Sequence, residues 1–238
     1  MQKDDSAPLN PVVSVDPQTG RREMLIDGAP SSVFEPDSVM TGDVWDALAC
    51  PIQLLRDLKS PRVLLLGLGG ATVARLIRHV SKTAYIAAIE ISPNVIDAAR
   101  EHFDLDALTV DVTRIDAHAY LTNEASERFD LIVEDIFLGQ DKDVRKPSWL
   151  PAPGYADAKR WLQPNGIFVA NTVNESPGAR LMLQHLYKHV IAMRIEFAHN
   201  TVFVASDREL SAGALDAALQ SAEAWTRLRQ RLSILDFE

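Results

Sequence analysis

Residues 63–72 read Val-Leu-Leu-Leu-Gly-Leu-Gly-Gly-Ala-Thr, and this stretch decides the fold class. Its first four residues form a continuous apolar run, which is typical of a strand buried on both faces of a parallel sheet. The glycines that follow let the backbone approach a ligand closely. Because residues 72–80 are predicted to be helical, a positive helix N-terminus is expected to point at the glycine turn. A plain tight turn is the alternative interpretation.

Apolar strand-like runs alternate with helix-like segments on the C-terminal side of this stretch. The predicted strands are residues 63–66, 85–91, 108–112, 129–133, 167–171, 191–197 and 201–205. Only a hairpin-length connection separates the last two, so they are expected to be antiparallel. The pattern predicts a Rossmann-like, doubly wound α/β fold with a mostly parallel seven-stranded sheet and an antiparallel last strand.

The flanking segments predict the domain organisation. Residues 1–10 are expected to be a disordered tail, residues 11–42 a small N-terminal β-hairpin extension, and residues 43–238 the main domain. Residues 43–58 are predicted to be a helix that Pro51 kinks or divides, and the segment from Asp207 to about residue 234 is predicted to be helical. The long loop at residues 136–153 is predicted to be unstructured and is either a solvated charged loop or a lid.

Composition excludes several classes of protein. The chain has 238 residues, of which 47% are apolar, and a net charge of -9. Because its basic residues are scattered, a nucleic-acid-binding surface is disfavoured. The acidic surface is explained either by solubility or by attraction of a cationic substrate. No apolar run is long enough to span a bilayer. Cys50 is the single cysteine, which fits a reducing compartment, so a cytoplasmic location is expected.

The ends of the predicted strands carry the candidate site, because ligands of such sheets lie beyond the carboxyl ends of the strands. Glu90 follows the second strand and is suited to accept hydrogen bonds from a ribose diol. Asp116 follows the third strand and is suited either to accept from an adenine amine or to cap the next helix. Glu134 and Asp135 end the fourth strand; side chains alternate along a strand, so only one of them faces the ligand, and we favour Asp135.

Together the glycine turn and Glu90 predict a nucleoside site. A dinucleotide is disfavoured, since its fingerprint requires a third glycine where this chain has Thr72. The six histidines are dispersed, and no spacing of His, Cys and Asp predicts a metal site.

The chain resembles the spermidine synthase family and its methyltransferase-like relatives over residues 24–206. The best-matching stretches are residues 63–70, 88–99, 116–121 and 129–135. The resemblance implies the class I methyltransferase fold, an N-terminal β-domain that often mediates homodimers, and S-adenosylmethionine or its decarboxylated form as co-substrate.

The resemblance also implies residue roles. Glu90 would bind the ribose, Asp116 the adenine, and Asp135 takes the position of the catalytic acid. The predicted nucleoside-binding residues are Gly67, Leu68, Gly69, Gly70, Glu90, Ile91, Asp116 and Ala117.

Several positions depart from the spermidine synthase pattern. Gly70 replaces an aspartate that helps to hold the aminopropyl amine, and Leu138 replaces a second loop aspartate. Ser31 and the Met-Thr-Gly sequence at residues 40–42 replace the family's Gln and Tyr-His-Glu near the polyamine site. The family's C-terminal motif is absent, so the polyamine site looks degraded.

We therefore predict a transferase that moves an alkyl group, methyl or aminopropyl, from a sulfonium nucleoside to a small acceptor. An amine is a candidate acceptor, which would place the protein in polyamine biosynthesis. Glu134, Asp141 and Asp143 are the carboxylates available to grip a second ammonium. A nucleoside-binding or interaction protein that has lost its chemistry is the alternative.

Overall fold

The computed structural model describes residues 9–140 and 143–237, which form an α/β fold. The strands are β1 Pro11–Val15, β2 Arg22–Ile26, β3 Ala29–Phe34, β4 Arg62–Leu66, β5 Tyr85–Glu90, β6 Val110–Arg114, β7 Phe129–Glu134, β8 Leu138–Gln140, β9 Asp143–Arg145, β10 Leu162–Thr172, β11 His189–Ile195, β12 Thr201–Ser206 and β13 Leu232–Asp236. The α-helices are α1 Val44–Ala49, α2 Thr72–Val80, α3 Pro93–His102, α4 Ala117–Thr122, α5 Gly154–Arg160, α6 Ser176–Leu186, α7 Ala212–Gln220 and α8 Thr226–Arg229. Short 3₁₀ helices cover Cys50–Leu55, Leu105–Leu108 and Glu223–Trp225.

The central sheet contains eight of the described strands, in the order β13-β11-β12-β10-β7-β4-β5-β6. The five strands from β10 to β6 are parallel, while β12 is antiparallel to both β10 and β11. The predicted doubly wound α/β class and the antiparallel pairing of the β11–β12 hairpin are confirmed. This arrangement brings the carboxyl ends of β4, β5, β6, β7 and β10 to one edge of the sheet.

The central sheet has one strand more than the seven that the sequence predicts. β13 pairs antiparallel with β11 at the edge of the sheet, where the sequence had predicted the end of a helix. The segment after Asp207 instead contains α7, a 3₁₀ turn, α8 and β13. The pairing partner of β13 supplies its main-chain hydrogen bonds, so a long-range contact overrides the local helical pattern.

The apolar runs of the parallel strands are buried on both faces, as their composition predicts. Val63 and Leu65 belong to the hydrophobic core on one side of the sheet, and Leu64 and Leu66 belong to the core on the other. Successive side chains of a strand point to opposite faces, so a continuous apolar run serves both cores. The helices that cover these faces exclude water from the base of the sheet.

Proline also divides the first helix of the main domain, as predicted. α1 ends at Ala49, and Pro51 lies in the first turn of the 3₁₀ helix that follows. Proline is tolerated there because the first backbone N–H groups of a helix have no partner within it.

The N-terminal extension is a three-stranded antiparallel sheet of β1, β2 and β3, one strand more than the predicted hairpin. Met24 of β2 packs with Val95 and Phe103, which belong to α3 and its C-terminal end. The extension therefore lies against the main domain close to the glycine turn. Most of the predicted disordered tail, residues 1–8, lies outside the described residues.

The loop at residues 136–153 is not unstructured in its described part. β8 and β9 pair antiparallel within it, so that Leu138 faces Arg145. Between residues 9 and 237, leaving out residues 141 and 142, no helix is long and apolar enough to cross a membrane.

Candidate nucleoside and acceptor site

The glycine turn after β4 requires the conformational freedom of glycine at two positions. Gly67 has φ +92°, and a Cβ atom there would lie 2.8 Å from the main-chain oxygen of Asp135. Gly69 has φ +52°, and its Cβ atom would lie 2.7 Å from Oγ of Ser32. L-residues rarely adopt such angles. The turn thus places the backbone of β4 in contact with the end of β7 and leads directly into α2, which begins at Thr72.

Glu90 ends β5 and is held by backbone N–H groups on both sides. Leu68 N–H donates to its Oε2 at 3.2 Å, and Ser92 N–H donates to its Oε1 at 2.9 Å. Burial raises the pKa of Glu90 above its ordinary value, and these N–H donors oppose the rise. The backbone N–H groups of Ile91 and Gly69 also act on this carboxylate, so backbone donors surround it. The structure therefore brings the two predicted halves of the nucleoside site together.

Asp116 follows β6 and caps α4. Its Oδ1 accepts a hydrogen bond from His118 N–H at 3.1 Å, the capping role that the sequence had left as an alternative to adenine binding. The main-chain N–H of Ile115 donates to the carbonyl of Glu90 at 3.2 Å, so the ends of β5 and β6 are adjacent. Ala117 is buried, whereas the Ile91 side chain is 55% exposed at the same edge. An apolar surface therefore lies beside the two carboxylates.

Asp135 follows β7 directly, at the centre of the sheet edge. The amide of Asn171 donates from Nδ2 to Oδ1 of Asp135 at 2.7 Å. The main-chain N–H of Asp135 donates to the carbonyl of Leu66 at 3.0 Å, which fixes it beside the glycine turn. Burial raises the pKa of Asp135, while the amide of Asn171 and the charge of Lys146 oppose the rise.

Glu134 points away from Asp135 and is already neutralised. Its Oε1 accepts from Nζ of Lys146 at 2.7 Å, and both side chains are almost fully buried. The hydroxyl of Tyr155 donates weakly to Oε2 at 3.4 Å, and Ile136 N–H donates to Oε1 at 2.8 Å. Burial raises the pKa of Glu134, and Lys146 opposes the rise. Glu134 and Asp135 thus have different side-chain partners, Lys146 for the first and Asn171 for the second.

Lys146 also ties the loop that follows β7 to the sheet. Its Nζ donates to the main-chain carbonyl of Ile136 at 2.9 Å and lies 3.8 Å from the centre of the Phe137 ring. The main-chain N–H of Lys146 donates to Glu175 at 3.0 Å. The hairpin of β8 and β9 is therefore anchored at its base beside Asp135.

The N-terminal extension closes the other side of the glycine turn. Gly70 N–H donates to Oγ of Ser32 at 2.5 Å, and Thr72 exchanges hydrogen bonds with the main chain of Val33 at 3.0 and 3.2 Å. A Cβ atom on Gly70 would lie 2.8 Å from Cβ of Ser32 and 3.0 Å from the Phe103 ring. The space that an aspartate at position 70 would need is therefore filled.

The other predicted carboxylates and substitutions are less central. Asp143 is exposed in β9, Leu138 is partly buried in β8, and Ser31 donates from its hydroxyl to the Met24 carbonyl at 3.0 Å. Asp141 lies outside the described residues. The turn at residues 40–42 is held by the buried Asp46, which accepts from the N–H groups of Thr41 and Gly42.

Comparison with known proteins decides the family. The family model described as "Methyltransferase domain" matches residues 59–230, the part of the chain that holds the parallel strands and the glycine turn. The chain belongs to the methyltransferase-domain family.

One curated relative of this methyltransferase domain is named "probable polyamine aminopropyl transferase", from Bifidobacterium longum (strain NCC 2705). It is 31% identical over 142 residues, which are 59% of this chain and 30% of the relative. The chain thus spans less than a third of that protein's length.

Two solved structures share the fold. A probable spermidine synthase from Corynebacterium glutamicum ATCC 13032 has a TM-score of 0.76 at 22% identity, covering 96% of this chain and 88% of its own. Human methyltransferase-like protein 13, in complex with SAH, has a TM-score of 0.60 at 18% identity, covering 78% of this chain and 90% of its own. The predicted resemblance to spermidine synthases and methyltransferases is confirmed, together with the class I methyltransferase fold.

Four side chains of the site were missed by reasoning from the sequence: Ser32, Lys146, Asn171 and Asn200. Asn200 belongs to the site because it donates a hydrogen bond to Asn171. Asn171 had a usable signal, because it is a polar residue at the end of an apolar strand, as Asp135 is. Ser32 and Lys146 had none, since their partners are 38 and 12 residues away and are joined to them only by the folding of flanking hairpins. Among residues 9–140 and 143–237, no group of three or more His, Cys, Asp or Glu side chains is placed to hold a metal ion.

Proposed function

We propose that this methyltransferase domain binds S-adenosylmethionine and transfers its methyl group to a small amine. The nucleoside would lie across residues 67–70, with its ribose on Glu90 and its adenine against Ile91, Asp116 and Ala117. Support comes from the adjacency of these groups at the carboxyl edge of the sheet, where such folds bind their ligands. Human methyltransferase-like protein 13 forms a complex with SAH, which is the product of methyl donation by S-adenosylmethionine.

The proposed reaction is an in-line displacement. The amine lone pair attacks the methyl carbon, the carbon–sulfur bond breaks, and sulfur keeps the electron pair as a neutral thioether. The new ammonium then gives one proton to Asp135. Holding nucleophile and sulfonium in line supplies most of the acceleration, and a carboxylate in a desolvated position is suited to take the proton.

The packing around Gly70 is the observation that favours methyl over aminopropyl transfer. Ser32 and Phe103 fill the space where an aspartate would hold an aminopropyl ammonium. Glu134, a candidate to grip a second ammonium, is paired with Lys146 instead. Of the two carboxylates at the end of β7, Asp135 is therefore the one available to an acceptor.

Aminopropyl transfer from decarboxylated S-adenosylmethionine is the second candidate. The similarity to the probable polyamine aminopropyl transferase of Bifidobacterium longum favours it. In that case Asp135 would act as base for a diamine, with Asp143 as a candidate anchor for the distal ammonium.

Calorimetric titration with S-adenosylmethionine and with its decarboxylated form tests the proposal. Methyl transfer requires the first to bind at least as tightly, followed by incorporation of tritiated methyl groups into amines. Turnover of the decarboxylated form with putrescine, spermidine or cadaverine at an efficiency on the order of 10⁴ M⁻¹s⁻¹ or above would replace methyl by aminopropyl transfer. Binding without any turnover would favour a nucleoside-binding protein that has lost its chemistry.

The same proposal includes the organisation and setting of the protein. Residues 11–42 would form the extension and residues 43–238 the catalytic unit, working as a cytoplasmic enzyme on small molecules. The net charge of -9 is unsuited to nucleic acid. The homodimer implied by the family resemblance is tested by sedimentation analysis of the purified protein.

A further inference from the structure

A chain of two asparagine side chains leads from Asp135 to the surface. Asn171, in β10, is 3% exposed and donates from Nδ2 to Oδ1 of Asp135 at 2.7 Å. Its own Oδ1 accepts a hydrogen bond from Nδ2 of Asn200 at 2.9 Å. Asn200 is partly exposed and directly precedes β12, which pairs with β10 through Thr172 and Thr201. The antiparallel pairing of β10 and β12 therefore places the two amides side by side.

The direction of these hydrogen bonds is fixed by the chemistry of the amide group. A primary amide donates from nitrogen and accepts at oxygen. Since Asn200 donates to the oxygen of Asn171, the nitrogen of Asn171 faces Asp135. Oδ1 of Asp135 therefore accepts a hydrogen bond from Asn171. Among residues 9–140 and 143–237 no side chain donates to Oδ2, which is the oxygen left to accept from a ligand.

We propose that Asn171, oriented by Asn200, is a positioning residue that directs the proton of the reacting amine to Oδ2 of Asp135. The inference rests on the proposed function, because it assigns a role within the same transfer. As the amine nitrogen bonds to the alkyl carbon and sulfur departs with its electron pair, the ammonium proton moves to Oδ2. Oδ1 keeps its bond to Asn171 throughout, so no side chain has to turn during the reaction.

The charged groups that act on Asp135 do not replace this contact. Lys146, from the loop after β7, lowers the pKa of Asp135, but it is bonded to Glu134 and to the Ile136 carbonyl. Glu134 faces the opposite side of β7. From β10 and the turn before β12 the facing groups are the uncharged Asn171 and Asn200, and the glycine turn after β4 carries no charged side chain. Within the described part of the chain, Asn171 is thus the side chain that holds the Asp135 carboxyl by a direct hydrogen bond.

The test is a ¹³C NMR titration of the Asp135 carboxyl, in the wild type and in Asn171→Leu, Asn200→Ala and Asn174→Ala. Asn174 is an asparagine three residues from Asn171, beyond the end of β10, and serves as the matched control. Loss of a hydrogen bond to a charged group raises the pKa of Asp135 by about one to two pH units in Asn171→Leu. A smaller upward shift is expected in Asn200→Ala and none in Asn174→Ala.

Turnover supplies the second arm, with S-adenosylmethionine and putrescine as probes. The expected result is a kcat lowered about ten- to a hundredfold in Asn171→Leu, an acid limb displaced to higher pH, and an unchanged affinity for S-adenosylmethionine. Asn200→Ala, which leaves the buried site intact, should show the same changes more weakly and keeps the test open if Asn171→Leu does not fold.

The two arms separate the possible failures. If the pKa of Asp135 is unchanged in both Asn171→Leu and Asn200→Ala, the positioning role is overturned, whatever the turnover. If the pKa of Asp135 shifts in the Asn171 and Asn200 variants but the wild type transfers nothing to any amine, the proposed function is wrong. The hydrogen bond from Asn171 to Asp135 is then a feature of the fold alone. If Asn174→Ala shifts the pKa of Asp135 and lowers kcat as much as Asn171→Leu does, the inference is also overturned. The effect would then not be specific to Asn171 and Asn200.

Discussion

The two halves of the site are held in different ways. On the nucleoside side, formed by the ends of β4, β5 and β6, Glu90 is held by backbone N–H groups of Leu68 and Ser92. On the acceptor side, formed by the ends of β7 and β10, Asp135 accepts from the side chain of Asn171, and Glu134 accepts from the side chain of Lys146 as well as from the N–H of Ile136. Backbone groups are present whatever the sequence, whereas side-chain partners change with single substitutions. Contacts on the proposed nucleoside side should therefore tolerate substitution of the residues that supply them, whereas contacts on the proposed acceptor side should not.

The largest expected effect follows from breaking the buried ion pair on the acceptor side. Lys146→Met leaves Glu134 as an unpaired buried carboxylate, which should lower the free energy of unfolding by about 3–5 kcal/mol. Urea denaturation measures the change, with the exposed Lys82→Met as control. The double variant Glu134→Gln with Lys146→Met should recover much of the loss, since neither charge is then buried. If Lys146→Met is as stable as the wild type, the ion pair does not stabilise the acceptor side.

On the nucleoside side, the largest expected effect is on ligand affinity, and it follows from replacing the Glu90 carboxylate itself. Glu90→Ala is expected to weaken the affinity for S-adenosylmethionine by about 1–3 kcal/mol, because a ribose hydroxyl loses its charged acceptor. Calorimetric titration measures this, with the exposed Glu124→Ala as control and circular dichroism to verify folding. Unchanged affinity in a folded variant would show that the ribose assignment is wrong.

The nucleoside side also has one contact to a side chain, because Gly70 N–H donates to Oγ of Ser32 in the N-terminal extension. Gly70→Asp forces the new Cβ atom against Ser32 and Phe103 and should destabilise the fold by about 1–3 kcal/mol. The added carboxylate should not create aminopropyl transfer. Combining it with Ser32→Gly makes room, so the double variant should be more stable than Gly70→Asp alone. Aminopropyl transfer by Gly70→Asp itself would mean that the turn can reopen.

The pH dependence of the reaction reports on the acceptor side. Burial raises the pKa of Asp135, and a base must be ionised, so the acid limb of the kcat profile should lie above the ordinary aspartate range of about 3.9. The fold favours the protonated carboxyl. Its contribution to stability is therefore present below the unfolded-state pKa and is lost as pH rises through the higher folded-state pKa.

Thermal unfolding of Asp135→Asn tests the same shift without an acceptor. Its stability relative to the wild type should increase as the pH rises from the ordinary aspartate range, about 3.9, towards neutrality, because the wild type then carries the cost of ionisation. A constant difference across that range would contradict the raised pKa.

The smallest expected effect concerns the loop at residues 136–153. Hydrogen exchange should be slower there when S-adenosylmethionine is bound, because loops of this kind close over filled sites. Residues 143–145 in β9 should respond more than Lys146, which is already anchored. Equal protection with and without the nucleoside would remove the lid interpretation.

Reasoning from the sequence reached the nucleoside side more completely than the acceptor side. The buried strand, the glycine turn and Glu90 are linked by local pattern and by strand order, so residues 63–72 and Glu90 were placed correctly relative to each other. The capping of α4 by Asp116 was one of the two roles that the sequence indicated, since aspartate is a strong capping residue. Asn171 and Lys146 were not predicted as site residues, because their roles depend on which strands and loops become neighbours in the fold.

The edge of the sheet shows the same limit. β13 has a short sequence whose strand conformation depends on pairing with β11, and its residues alone also fit the end of a helix. The loop after β7 was expected to lack structure, yet β8 and β9 pair within it. Local propensity decided the elements at the centre of the sheet, and tertiary partners decided those at its periphery.

The buried pair of Glu134 and Lys146 has a consequence for the history of this fold. Either charge alone is costly in that position, whereas two uncharged residues of similar size are tolerated. Substitution of one residue therefore creates pressure to substitute the other. Among relatives of this chain the two positions should change together, so that sequences keep both charges or neither, and a co-varying pair at this spacing would mark spatial contact at the base of the loop.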